Sequence, residues 1–365
     1  MKRFLLYALA LLIILSACNQ PYDTYTPLPT FTSIPSFFAM ETPMPPTSAS
    51  LPDFTPTPIT SVELHRGVNM GNMLEAPNEG EWGLVVQEEY FDLVKEAGFD
   101  FVRLPVRWNN HAETEWPYTV DPVFFARVDE VVNWGLERNL TIIVDFHHYE
   151  EMMTDPWGHK DRYLGISKQV AEHYKDYPVN VLFELLNEPN AELNASLWNQ
   201  YLLEALAVVR ASNSTHDVVI GPVNWNAYEW LSTLDVPNDE HLIVTFHYYL
   251  PFQFTHQGAE WVGEEAQKWL GTEWGSDAEK AEITSHFDLV ADWAKRHGNV
   301  RILLGEFGAY SKAPQESRVR WTEFVRDEAE RHGFAWAYWE FGSGFGAYDP
   351  NVKVWREDLL KALIP

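Results

Sequence analysis

The chain has a single cysteine, Cys18, in 365 residues. That count excludes an internal disulfide framework, a cysteine-rich zinc site and an iron–sulfur cluster. Positive charge is also scarce: 26 Lys and Arg stand against 53 Asp and Glu, a formal charge of −27. A surface so negative repels phosphate backbones, so no nucleic acid is expected as a partner, and anionic polysaccharides and membranes are disfavoured too. The apolar run from Phe4 to Leu15 is too short to span a bilayer comfortably. H-E-x-x-H, the G-x-S-x-G elbow and the P-loop are all missing.

What the chain does have is sharply partitioned. Residues 1–18 read as a secretory signal, with Lys2 and Arg3, an apolar stretch and then small residues. The signal ends in Leu15-Ser16-Ala17-Cys18, which resembles a bacterial lipobox. On that reading Cys18 is the lipidation site and the chain's one contact with a membrane; the plainer alternative is a signal peptide with a chance cysteine. Residues 19–61 hold 10 of the 23 Pro with 9 Thr and 5 Ser. Such a composition cannot bury a core and favours extended polyproline, so a disordered tether is expected. At about 3.1 Å per residue it would reach roughly 130 Å.

Residues 62–365 carry all 16 Trp. Short apolar runs at 65–72, 100–106, 140–149, 179–189, 217–225, 242–249, 301–308 and 334–342 read as strands. Amphipathic segments fall between them, among them Glu88–Ala97, Phe124–Arg138, Trp198–Ala211, Ile283–Arg296 and Arg318–His332. Several stop at a glycine, as at Gly98, Gly298 and Gly333. Eight such units in about 300 residues predict an α/β fold of the (β/α)8 TIM-barrel type, with a doubly wound sheet as the alternative.

In such barrels chemistry gathers at the C-terminal ends of the strands. Here the second strand carries Arg103, the third ends in His147-His148-Tyr149 and the fourth in Asn187-Glu188-Pro189. The fifth ends at Trp225, the sixth at His247-Tyr248-Tyr249, the seventh at Glu306-Phe307-Gly308 and the eighth at Trp339-Glu340. Two carboxylates at one barrel mouth suit acid/base and nucleophilic work on a glycosidic bond, the alternative being a structural ion-pair network. Arg103 is the cation that would keep one of them charged, and Tyr249 is placed to hydrogen-bond it. Strict alternation puts Ile302, Leu304 and Glu306 on one face, and puts Asn187 and Glu188 on opposite faces unless a bulge or twist intervenes.

Asn187-Glu188-Pro189 and Gly305-Glu306-Phe307-Gly308, with RGVNMGN, DFHHYEE and TFHYY, resemble a glycoside hydrolase family 5 catalytic domain over residues of about 62–364. The stretches at 71–83, 254–262 and 337–346 are similar to thermophilic-bacterial cellulases that also cleave β-mannan. The resemblance implies a retaining glycosidase with Glu188 as general acid/base and Glu306 as nucleophile. It further implies that Arg103 and Tyr249 orient Glu306, that His247 sets the protonation of Glu188, and that Asn187 binds the sugar 2-hydroxyl. Trp339 would be the platform of the subsite before the cleaved bond, with His148 lining it.

Around that set, Asn72 and Glu75 either hold sugar hydroxyls or close a loop, and His147 either touches substrate or supports those that do. Trp225 and Trp261 offer aromatic faces for pyranose rings, and His256 in the Trp261 loop is read as a further substrate contact. Glu340 flanks the platform as a sugar ligand or half of an ion pair, while Trp108, Trp134 and Trp293 read as packing or surface. No metal and no cofactor is expected, although Asp145, His147 and His247 keep a metal-dependent hydrolase conceivable. The whole reads as a secreted, lipid-anchored, monomeric endo-β-1,4-glucanase acting on neutral β-linked polysaccharide, with glucomannan or mannan as additional substrates. The alternatives are a mannanase or xyloglucanase of narrow range, or a non-catalytic glycan-binding surface lipoprotein.

Overall fold

Eight parallel strands close on one another in sequence order: β1 Arg66–Asn69, β2 Phe101–Val106, β3 Thr141–Phe146, β4 Val181–Glu184, β5 Val218–Ile220, β6 Leu242–Tyr248, β7 Arg301–Phe307 and β8 Ala335–Tyr338. The computed structural model describes residues 62–365; the expected signal with Cys18 and the expected tether at 19–61 lie outside the described residues. β1 pairs with β8 as well as with β2, which closes the barrel and disposes of the doubly wound alternative. Each predicted strand contains an observed one, shorter because the polar ends leave the sheet to form the rim.

Helices α1 Glu88–Ala97, α2 Pro122–Glu137, α3 Pro156–Tyr174, α4 Ala195–Arg210, α5 Asp277–Arg296, α6 Gln315–Arg331 and α7 Glu357–Leu363 pack outside the strands. The fifth unit departs from the pattern, since a 3-10 segment at Tyr228–Thr233 follows β5 instead of a full helix. Local sequence explains the helix ends. Asp121, Asp155 and Asn194 each accept a backbone N–H at a helix start, and Pro122 and Pro156 open two of those helices. Ser276 and Glu279 form a reciprocal capping box on α5. Gly98 ends α1 with φ of 103°, a conformation that costs glycine nothing. Among the described residues no helix is long and apolar enough to cross a membrane.

Alternation along the strands separates two cores. Val102, Leu104, Ile142, Val144, Val244, Ile302 and Leu304 point outward into the large cluster under the helices. Phe101, Ile143, Leu182, Val219, Ile243 and Leu303 point inward and fill the lower barrel, closed by Val62, Ala335 and Ala337. Two residues further along five of these strands, on the same inner face, stand Arg103, Asp145, Glu184, Thr245 and Gly305. The barrel interior is thus apolar below and polar above.

One expectation from alternation fails here. Ile302 and Leu304 belong to the outer cluster, and strict period two would have sent Glu306 out with them. The ladder with β6 slips instead, pairing Phe246 with Leu304 and then His247 with Glu306, so Gly305 is an extra residue. That bulge turns Glu306 into the barrel.

Candidate active site

Arg103 stands at the centre of the upper layer, fully buried, and each of its five N–H donors has an acceptor. Its Nε and one terminal nitrogen grip Glu184 at 2.6 and 2.8 Å. The remaining donors go to Asn69 Oδ1 at 3.0 Å, Asn187 Oδ1 at 2.8 Å and Glu306 Oε1 at 2.8 Å. Asp145 Oδ2 lies 3.0 Å from the same guanidinium. Asn69 is held in turn by donating to the carbonyls of Gly305, Ala337 and Tyr338.

Past the end of β4 the chain kinks. Glu188 takes a left-handed φ of 50°, and its carbonyl accepts from Asn190 Nδ2 at 2.8 Å. This kink is the twist that strict alternation required. Asn187 reaches Arg103, while Glu188 Oε1 sits 2.8 Å from His247 Nδ1. Across the mouth Glu306 Oε2 accepts from the Tyr249 hydroxyl at 2.9 Å and lies 3.6 Å from His247 Nδ1. Six predicted residues therefore form one connected cluster: Arg103, Asn187, Glu188, His247, Tyr249 and Glu306.

Burial sets the protonation of this cluster. Desolvation raises Glu188 to about 8, with Arg103 opposing the shift and Glu184 adding to it. Glu306 is raised to about 7 by desolvation, against the pull of His247, Arg103 and the Tyr249 hydroxyl. Both carboxyl groups are thus raised above the ordinary range, and the Arg103 and Tyr249 donors reach Glu306 alone, which favours the charge on Glu306 and the proton on Glu188. His247 is lowered to about 4 by burial, so its ring is neutral near pH 7. Asp145, raised to about 7 by burial, lies 2.5 Å from His147 Nδ1.

The other predicted residues sort by distance from this centre. His147 is buried, faces Asn187 Nδ2 at 3.4 Å through Nε2, and lies parallel to Trp339 with 5.5 Å between ring centres. His148, Asn187, Glu188 and Trp225 line one cavity of about 360 Å³, and Trp225 is 54% exposed. His256 is buried, stacked on Phe252 at 4.0 Å and set edge-on to Tyr249 at 5.1 Å. Trp261 is 62% exposed and leans edge-on against Tyr310.

Glu75 does not join the cluster. It is buried, and its carboxylate accepts the backbone N–H groups of Asn72 and Met73, which is the loop-closing arrangement. Glu340 takes neither of its two expected roles, since its carboxylate orders the loop after β8 through the N–H groups of Ser343 and Phe345. Trp108 and Trp293 are buried packing residues, as read from sequence.

Three contributors escaped the sequence reading. Glu184 is hidden in the apolar run VLFELL, although its place two residues after the inward Leu182 marks its face. Trp82, 42% exposed, stands edge-on to His148 at 5.8 Å. Asn226 is buried with Nδ2 3.4 Å from His247 Nε2, and no periodic signal identifies it.

Among the described residues Glu188, His247 and Glu306 form the one group of potential metal ligands with donor atoms all within 4.8 Å of one another. Arg103 already supplies a positive charge at Glu306, and His247 Nδ1 lies between the two carboxylates where a proton donor belongs. The donor set therefore fits proton transfer better than a cation.

The family described as Cellulase (glycosyl hydrolase family 5) matches residues 58–344. Endoglucanase H of Acetivibrio thermocellus is 37% identical over 311 residues, covering 84% of this chain and 33% of that protein. The chain therefore spans about a third of the length of that relative. The structure of Thermotoga maritima Cel5A in complex with cellobiose is 50% identical, with a TM-score of 0.81, covering 82% of this chain and 97% of the other. The complex of the same enzyme with mannotriose superposes equally well, again with a TM-score of 0.81 and 50% identity.

Proposed function

Since the chain belongs to glycosyl hydrolase family 5, we propose that it is a retaining endo-β-1,4-glucanase in which Glu188 is the general acid/base and Glu306 the nucleophile. The observation that carries the mechanism is the closeness of the two groups, one oxygen of each lying within 4.8 Å of the other with His247 Nδ1 beside both. A retaining double displacement uses carboxyl groups roughly 5–5.5 Å apart, whereas inversion needs about 6.5–9.5 Å to admit a water.

The chemistry follows from the protonation states. Glu188 gives its proton to the glycosidic oxygen while ionised Glu306 attacks the anomeric carbon, breaking the bond to the leaving sugar and forming a glycosyl ester. Glu188, now a carboxylate, takes a proton from water, which attacks the same carbon and releases Glu306. Arg103 and Tyr249 hold the nucleophile charged and aimed. Asn187 offers its amide to the 2-hydroxyl, and Trp339 forms the floor of the adjoining subsite. His148, Trp225, His256, Trp261 and Asn72 complete the proposed sugar-binding surface, with buried Glu75 ordering the Asn72 loop from behind.

β-1,4-Glucan is the first substrate in this reading. Mannan or glucomannan is the second, favoured because the Thermotoga relative has been crystallised with both cellobiose and mannotriose. A pure glycan-binding protein would have no use for a facing carboxyl pair of which one member is bonded by a buried arginine and a tyrosine. We also read the enzyme as secreted and anchored through Cys18; Cys18→Ser should then move activity from the membrane fraction to the medium.

The test is to follow early products on soluble β-glucan, glucomannan and mannan by NMR. Release of β-anomers is the expected result, and their relative rates rank the substrates. Initial α-anomers would overturn Glu306 as nucleophile. Glu306→Ala should lose essentially all turnover while keeping its fold.

A further inference from the structure

The loop after β5 contains three consecutive residues in the left-handed region: Asn224, Trp225 and Asn226, with φ of 60°, 59° and 53°. Asparagine tolerates that conformation better than most residues, but tryptophan does not. The surroundings hold the turn in place. Trp225 donates its N–H to the Pro189 carbonyl at 3.3 Å, and Ala227 donates to Asn224 at 3.2 Å. Ala227 also bridges to His247 on β6. The turn thereby sends two neighbouring side chains in opposite directions, Trp225 out to the cavity and Asn226 into a fully buried position beneath His247.

Space has been cleared for this burial. A Cβ at Gly221 would come within 2.2 Å of Asn226 Oδ1. One at Gly305, the extra residue of the β7 bulge, would reach 3.0 Å from His247 Nε2. Larger residues at either position would push the asparagine and the imidazole apart.

We propose that Asn226 is a positioning residue that fixes which oxygen of Glu188 carries the catalytic proton. Its Nδ2 donates to His247 Nε2 at 3.4 Å, so that nitrogen serves as an acceptor and the ring proton sits on Nδ1. Nδ1–H then donates to Glu188 Oε1 at 2.8 Å. With Oε1 engaged as an acceptor, the proton that Glu188 delivers is held on Oε2. The imidazole neither gains nor loses a proton in the cycle. It orients the acid, and Asn226 orients the imidazole. This inference rests on the assignment of Glu188 as the acid.

Leaving groups of different basicity test it. A dinitrophenolate departs without protonation, whereas an alkoxide-like sugar needs the acid. The probes are aryl β-cellobiosides of graded leaving-group pKa, used with the full-length enzyme, Asn226→Gly and Glu188→Ala. Glycine accepts the left-handed backbone, so Asn226→Gly removes the amide without straining the turn. The expected result is that kcat/KM of Asn226→Gly falls about tenfold on the poorest leaving group, a part of the acid's full contribution, and is unchanged on the dinitrophenyl substrate. An equal loss on all substrates, or no loss on any, would overturn the proposal.

Imidazole 15N NMR of the unmutated enzyme supplies a second measurement that does not depend on how a variant folds. A protonated Nδ1 and bare Nε2 on His247 are expected, and the opposite tautomer would overturn the relay. If Glu188→Ala itself shows no leaving-group dependence, the assignment of the acid fails and the relay with it. If Glu188→Ala shows the dependence and Asn226→Gly does not, the relay alone fails.

Discussion

The lower and upper halves of the barrel interior are built by the same strands, two residues apart, and they obey opposite rules. Below lie Phe101, Ile143, Leu182, Val219, Ile243 and Leu303. Burying each such aliphatic or aromatic side chain contributes about 1.5–3 kcal/mol. Above them Arg103, Asp145 and Glu184 are also buried, but there burial opposes stability, because each charge gives up its hydration. What makes the upper layer tolerable is complete hydrogen bonding of the one cation. The difference teaches that one register step separates the part of the fold that stabilises from the part to which the proposed chemistry is assigned.

Arg103→Met is the sharpest way to break the contrast. It leaves Glu184, Asp145 and Glu306 without their shared cation, and a destabilisation of about 3–5 kcal/mol is expected by chemical denaturation, with activity lost. Leu182→Ala strikes the layer below. It should cost about 2–5 kcal/mol through a cavity, yet leave kcat per folded molecule close to the parent value. Comparable losses of activity from both substitutions would show that the layers are not separable.

A third expectation concerns pH. Asp145, Glu188 and Glu306 have folded-state values raised to about 7, 8 and 7, above the ordinary carboxyl range. Between the ordinary value and the raised one, the folded state holds a proton that the unfolded state has released, so stability falls as pH rises. Denaturation midpoints should therefore decline from about pH 4.5 to 8, each unit of pKa difference being worth about 1.4 kcal/mol. Carboxylates with lowered values, such as Asp92 and Asp239, lose their contribution only below that window. A midpoint rising across this range would contradict the buried-carboxyl account.

Glu184→Gln is expected to have the smallest effect on stability, a loss of about 1–3 kcal/mol, because its amide leaves one buried Arg103 N–H without an acceptor while the layer sheds one negative charge. Its signature is kinetic. Glu184 helps hold the Glu188 proton, so its neutralisation should move the alkaline limb of the kcat/KM profile to lower pH. An unmoved limb would show that Glu184 serves Arg103 alone.

Much of this organisation was legible in the sequence. Eight apolar runs, each ending in a polar or aromatic group, predicted the barrel and its active rim, and the carboxyl pair stood at the expected ends. Two kinds of information were hidden. Alternation misplaced the face of Glu306 because the bulge at Gly305 adds a residue that period two cannot count. Asn226 was missed because its role arises from a left-handed turn, and such turns leave no periodic trace. Glu184 was in view but passed over, since its neighbours are apolar on both sides.

The saturated guanidinium of Arg103 has a consequence for selectivity by omission. A cation in a sugar-binding cleft would ordinarily recruit uronic acids, phosphate or sulfate, but this one is wholly buried and has no N–H left to offer. Its charge acts on the carboxylates around it while its surface stays hidden from whatever occupies the cleft. The site can thus hold a strong positive charge at its heart and still present itself to the outside as a receptor for uncharged sugars.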